Sequence, residues 1–158
     1  MTRQDVGIGD IRIATGEQEI KTYALGSCVA VVVWDSSMRI GGMIHIALPE
    51  GQINPDKAAE KPGYFADTGL PVLFAELKKA GANRRTCWVK LVGGASILDP
   101  SHTFEIGRRN ALAVKKYLWK IGLALNAEEI GGNISRTVSL ELPTGALTIS
   151  SGSQKWTL

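Results

Sequence analysis

The stretch CVAVVVWDSSMRIGGMIHIAL, residues 28–48, decides how this chain is read. Two runs dense in β-branched and apolar residues, CVAVVVW and RIGGMIHIAL, flank a polar turn at residues 35–38, and that pattern predicts an antiparallel hairpin. With the turn centred between Ser36 and Ser37, Cys28 falls opposite His45, Val29 opposite Ile44, Val31 opposite Gly42 and Val33 opposite Ile40. One face is then wholly apolar, while the other carries Cys28, Ala30, Val32 and Trp34 with His45, Met43, Gly41 and Arg39. Opposed residues on one face have Cβ atoms about 4.5–5.5 Å apart, close enough for a thiol and an imidazole to share a hydrogen bond.

A thiol beside an imidazole is the minimum that nucleophilic thiol chemistry requires, because a neighbouring imidazolium stabilises the thiolate and lowers its pKa. The preceding residues strengthen the pattern. Gly26 can adopt backbone angles closed to other residues and lets a substrate approach closely, and the amides of Ser27 and Cys28 are candidates for holding an oxyanion. Two bland readings compete: a strand cysteine serves as a small hydrophobe, and a strand histidine as a satisfied polar group. A bulge at Gly41 and Gly42 would also turn His45 to the opposite face.

Working outward, IRIAT (residues 11–15) and KTYAL (21–25) read as short strands around the GEQE turn. Residues 49–63 are polar and rich in Pro and Gly and read as a long loop. Leu70, Leu73, Phe74 and Leu77 recur at helical spacing up to Ala80, with Gly81 at the cap position. TCWVKLVGGA is a buried strand stopping at Gly93 and Gly94, followed by the loop SILDPSHTFEI. Ala113, Val114, Tyr117, Leu118 and Ile121 mark a second helix ended by Gly122. LALNAEEI reads as a strand, and RTVSLELPTGALTIS as a hairpin turning at PTG. Strands separated by two main helices, with hairpins at both ends, imply an α/β class fold: a layered sandwich with mixed β-sheets.

The 158 residues fit one domain, 1–158, large enough to bury a core without metal or disulfide. Two cysteines and two histidines make neither a disulfide framework nor a zinc spacing, so no cofactor and no metal are expected. Cys87, without a nearby base or glycine elbow, reads as core, and His102 as a loop residue. No secretory signal or membrane span is legible, which points to a cytoplasmic protein without direct membrane insertion. A net charge of +3 is too small to argue nucleic acid. The basic run holding Arg108, Arg109, Lys115, Lys116 and Lys120 reads as a solvated helix face that also suits an acidic protein partner.

Taken together, LGSCVAVVVWD, IGGMIHIALP, YFADTGLPVLFAEL, KLVGGA, FEIGRRN and EEIGGNISR, in this order from about Lys21 to Ile149, resemble the CheD family of chemoreceptor glutamine deamidases. The resemblance implies a cysteine hydrolase that converts glutamine side chains of methyl-accepting chemotaxis proteins to glutamate with release of ammonia, on a fold similar to the Cys/His deamidase toxins. It assigns the nucleophile to Cys28, the catalytic histidine to His45 and a third member to Thr22. It also implies a chemoreceptor substrate and a complex with CheC, a phosphatase of phosphorylated CheY, so a regulatory binding module is the alternative to catalysis. Receptor methylesterase activity by the same thiol is chemically close. One departure stands out: the family's GGxxGR is GGNISR here, with Ser135 in place of glycine.

Overall fold

The computed structural model describes residues 1–99 and 101–158; Pro100, within the loop SILDPSHTFEI, lies outside the described residues. In chain order the elements are β1 (Thr2–Asp5), β2 (Ile11–Thr15), β3 (Gln18–Leu25), β4 (Val29–Asp35), β5 (Ile40–Ile46), α1 (Pro55–Glu60), α2 (Ala66–Lys79), β6 (Cys87–Gly93), α3 (Ile106–Ile121), β7 (Ala127–Ile130), β8 (Arg136–Glu141), β9 (Ala146–Ser151) and β10 (Gln154–Thr157). Two five-stranded mixed sheets result, ordered β2-β5-β4-β6-β7 and β1-β3-β8-β9-β10. β7 joins β6, and β1 joins β3, in parallel.

The first sheet is the middle layer. Val29, Val31, Val33, Ile44 and Ile46 meet Leu70, Leu73 and Leu77 of α2 and Val114 and Leu118 of α3. On its other face Ala30, Val32 and Met43 meet Ile20, Val138, Leu140 and Ile149 of the second sheet. Burial on both faces is why β4 reads as an almost unbroken apolar run rather than an alternating one. No helix among the described residues is long and apolar enough to cross a membrane.

The β4–β5 hairpin forms, in a different register from the sequence expectation. Val29 pairs with Ile46, Ala30 with His45, Val31 with Ile44 and Asp35 with Ile40. Arg39 belongs to the turn, with φ of 52°, which moves the centre of the loop one residue along the chain. Cys28 is therefore not opposite His45; Ala30 is. A shift of two residues keeps every side chain on its expected face, so Cys28 and His45 still look the same way, toward the second sheet. The ladder also runs in step through Gly41 and Gly42, without a bulge. These glycines serve packing: a Cβ on Gly41 would come within 2.8 Å of Leu140 Cδ2.

IRIAT and KTYAL are strands, but they lie in different sheets, β2 beside β5 and β3 beside β8. The polar stretch 49–63 contains a third, six-residue helix, α1, where a continuous loop was expected. Its start is encoded locally: the Asn54 side chain accepts from Lys57 N at 3.1 Å and Pro55 takes the first turn, where its missing N–H costs nothing. α2 and α3 end as their glycines predict, Gly81 and Gly122 both having positive φ. The short strands β1 and β10, at the two edges of the second sheet, carry too little apolar pattern to be read from TRQD and QKWT.

Candidate active site

Two of the residues predicted to carry chemistry, Thr22 and His45, meet between the two sheets. Thr22 on β3 and His45 on β5 are both buried. The Thr22 hydroxyl donates to the Val6 carbonyl at 2.6 Å, and its oxygen lies 2.7 Å from His45 Nδ1. A hydroxyl has one hydrogen. With that hydrogen committed to Val6, Oγ1 accepts from Nδ1–H, which holds the imidazole as the Nδ1–H tautomer with its lone pair on Nε2. Nε2 has no hydrogen-bond partner among the described residues. Burial pushes the His45 pKa down to about 4, with the Asp10 carboxylate pulling weakly the other way. The ring is therefore neutral near pH 7. Its backbone N–H and C=O are both held by the segment before β2, since His45 N donates to Asp10 O at 3.3 Å and His45 O accepts from Gly9 N at 2.7 Å.

Directly after Thr22, β3 bulges. The β3–β8 register slips between Thr22 and Leu25, and Ala24 sits in the left-handed region at φ 53°. The chain then turns through Gly26 and Ser27 to Cys28, the residue before β4. Gly26 itself has no positive φ; the unusual backbone angle expected there belongs to Ala24. A side chain at Gly26 would meet only Ile97 Cδ1, at 3.8 Å, so this glycine keeps open space beside the thiol.

Three successive carbonyls of this turn are pinned. Gly26 O accepts from Ala95 N at 2.8 Å, Ser27 O from Asn110 Nδ2 at 2.9 Å, and Cys28 O from Gly94 N at 2.9 Å. The end of β6 and the start of α3 meet closely behind it: a Cβ on Gly107 would lie 2.4 Å from Gly94 O. Cys28 is half-buried, and desolvation raises its thiol pKa against a smaller opposing effect of its own amide. Both Cys28 and His45 thus rest uncharged. The thiolate–imidazolium pair expected from the sequence gives way to a neutral pair, because burial penalises both charged forms. Cys28 lies two residues along the same face from the position opposite His45, and its sulfur is not hydrogen-bonded to Nε2 in this state.

Ala24, Gly26, Ser27, Ile97, Phe104 and Ser135 line a cleft of about 410 Å³ beside the turn before Cys28, and Thr22, Cys28 and His45 are not among its lining residues. Leu98 and Phe104 stand exposed at it, at 97% and 69% of their surface. A larger apolar cavity, about 720 Å³, opens between α2 and α3 and is lined by Phe74, Tyr117 and Cys87. Neither Thr22 nor His45 lines it. Cys87 is pushed up to about 11 by burial and by Asp35, as suits an unreactive thiol. His102 is exposed, with its amide donating to Asp99 O at 2.9 Å. Arg108 and Lys116 are exposed on α3, and Arg108 is 3.4 Å from Glu105.

Comparison with known proteins identifies the family. The family model described as CheD chemotactic sensory transduction matches residues 47–151. The chain belongs to the CheD family. It is 49% identical over 148 residues to a Syntrophotalea carbinolica protein named "Probable chemoreceptor glutamine deamidase CheD", covering 92% of this chain and 91% of the relative. Identity to proteins of the same name is 46% over 152 residues in Solibacter usitatus, covering 95% of this chain and 90% of the relative, and 38% over 155 residues in Methanococcus maripaludis strain C6, covering 97% of each chain. The family model begins at Ala47, so the stretch with Thr22, Cys28 and His45 is reached by the full-length relatives alone.

Two participants escaped the sequence reading. Val6 contributes only a backbone carbonyl, for which no side-chain signal exists. Asn110 left a trace: a polar residue on the helix stripe that continues through Val114 and Leu118 is out of place unless it is bonded in the interior.

Proposed function

We propose that this protein is a cysteine-dependent chemoreceptor glutamine deamidase with Cys28 as nucleophile, His45 as general base and acid, and Thr22 as the group that orients His45. The observation that carries this reading is the buried Thr22–His45 pair, whose Nε2 lone pair is left free on the same sheet face as Cys28.

As a receptor glutamine enters the cleft, the Cys28 thiol passes its proton to His45 Nε2 while sulfur bonds to the side-chain carbonyl carbon. Negative charge builds on the amide oxygen, for which the amides of Ser27 and Cys28 are the proposed donors. The tetrahedral adduct collapses, the C–N bond breaks, and the Nε2 proton goes to the departing nitrogen, releasing ammonia. A glutamyl thioester remains. His45, neutral again, takes a proton from water, whose oxygen attacks the thioester carbonyl; the product is glutamate, and the thiolate recovers its proton from the imidazolium. Burial suits this order of events, because the proton is transferred at the moment of attack rather than stored beforehand. The receptor's cytoplasmic helices are the substrate class, which makes the cytoplasm the working compartment. Exposed Arg108 and Lys116 favour a target with acidic neighbours.

The exposed Ile97, Leu98 and Phe104 around the cleft support a second, compatible role, docking of a protein partner such as the CheC phosphatase. Mass spectrometry of a receptor cytoplasmic fragment incubated with wild type or Cys28→Ala tests the main reading. Site-specific conversion of glutamine to glutamate by the wild type alone is expected. Equal conversion by Cys28→Ala would refute the cysteine mechanism, and no conversion by either with the fragment bound would favour the docking role.

A further inference from the structure

We infer that Asn110 is a positioning residue for the oxyanion-binding amides, acting through the Ser27 carbonyl; this rests on the reading of Cys28 as nucleophile. Asn110 sits in the second turn of α3 and is fully buried. Its Nδ2 donates to two carbonyls from different parts of the site, Ser27 O at 2.9 Å and Ala47 O at 3.0 Å. Ser27 precedes the nucleophile and Ala47 lies two residues after His45. One amide group therefore links the approach to the nucleophile with the exit of the strand that carries the base.

The direction of these bonds matters. Every peptide here is trans, so the C=O and N–H of one peptide plane point in opposite directions. Pinning Ser27 O to Asn110 turns the Cys28 N–H outward, and pinning Gly26 O to Ala95 N does the same for the Ser27 N–H. Neither Ser27 N nor Cys28 N donates to another of the described residues, and the Cys28 N–H reaches only its own sulfur. Two adjacent amides uncommitted to other residues are what an oxyanion needs, and Asn110 fixes the plane of the second.

The other end of the side chain shows that packing alone does not explain it. Asn110 Oδ1 is buried without a donor among the described residues. Flipping the amide would set Oδ1 against two carbonyl oxygens, so this orientation is forced. A buried acceptor left unpaired is costly, and such costs persist where a function holds them in place. Here that function is the forked donation.

The test pairs two reactions of the same thiol. Deamidation builds an oxyanion at the carbonyl, whereas alkylation by iodoacetamide displaces iodide at a saturated carbon and builds none. Asn110→Ala is expected to lower kcat for deamidation of a receptor cytoplasmic fragment roughly 10- to 100-fold, with KM within about threefold. Alkylation of Cys28, followed by mass spectrometry, should stay within about threefold of wild type, since it builds no oxyanion and the Cys28 amide is only the smaller influence on the thiol. Asn110→Ser, which keeps one donor and a small side chain, should recover part of kcat, and it decides by the same criteria if the alanine variant does not fold. A kcat within about twofold of wild type, or a parallel fall in kcat and alkylation, would overturn the inference. Cys28→Ala run alongside separates the two levels: activity retained there refutes the cysteine reading itself, whereas loss there with Asn110→Ala unaffected refutes only the role of Asn110.

Discussion

Replacing Thr22 by Val keeps a branched side chain of nearly the same shape in a fully buried position and removes only the hydroxyl. That hydroxyl satisfies two groups, the Val6 carbonyl at 2.6 Å and His45 Nδ1–H at 2.7 Å. An unsatisfied buried polar group costs about 1–3 kcal/mol. Moving the ring proton to Nε2 gives no relief, because that nitrogen is also buried without a partner among the described residues, so a net loss of about 2 kcal/mol is expected, equivalent to a fall in Tm of about 4–8 °C for a chain of this length. The catalytic penalty comes from the lost preference between tautomers, because a proton on Nε2 occupies the lone pair proposed to accept the thiol proton. Losing about 2–3 kcal/mol of tautomer and orientation control corresponds to a roughly 30- to 150-fold drop in kcat/KM. Calorimetry measures the first effect, and time-resolved mass spectrometry of receptor deamidation measures the second. Thr22→Ser, which restores the hydroxyl, should recover most of the activity even if its missing methyl leaves it less stable. A folded Thr22→Val enzyme within about threefold of wild type would refute the argument that this hydroxyl sets the state of His45.

Two further predictions concern pH. Because burial raises the Cys28 thiol and keeps His45 neutral, the rate of Cys28 alkylation should be low at pH 7 and still be climbing past the ordinary thiol value; a rate already at plateau between pH 5 and 8 would show a preformed ion pair instead. Asp35 is fully buried and accepts from Ser37 N at 3.0 Å, Ser37 Oγ at 2.8 Å, Asn83 N at 2.6 Å and the Thr86 hydroxyl. Burial by itself would raise its pKa, but these donors together outweigh it and hold the carboxyl at about 2. A depressed folded pKa contributes stability that is present above the unfolded value, about 3.9, and lost as pH falls toward the folded one. Wild type should therefore lose on the order of 2 kcal/mol between about pH 4 and pH 2, and Asp35→Asn should lose a similar amount at neutral pH while responding less to acid in that window. Urea titrations at several pH values would expose the error if both proteins show the same acid slope.

Much of the site was legible because strand chemistry has a period of two. The runs around Asp35 place Cys28 and His45 on one face whatever the even-numbered register, so their shared direction followed from composition and alternation alone. Helix ends at Gly81 and Gly122 were equally local, each needing only a residue tolerant of positive φ. The precise pairing was not local. It depended on Arg39 entering the turn at positive φ. The helix α1 was encoded by Asn54 and Pro55 but hidden in a stretch whose polarity suggested a loop.

By itself the sequence determined the layered α/β class, the two main helices, the face on which the thiol and imidazole lie, and the motifs that mark the family, because each of these depends on residues close together in the chain. The resemblance had already grouped Thr22 with His45, but the tertiary structure alone decided that its hydroxyl, twenty-three positions before His45, meets Nδ1, that the Val6 carbonyl fixes the proton on that ring, and that Asn110, eighty-three positions from Ser27, holds the turn before Cys28. Those contacts join separate layers of the fold. They exist only once burial of Ile20, Val32, Met43 and Leu140 between the sheets has brought the layers together, and the same burial sets the protonation states on which the proposed chemistry depends.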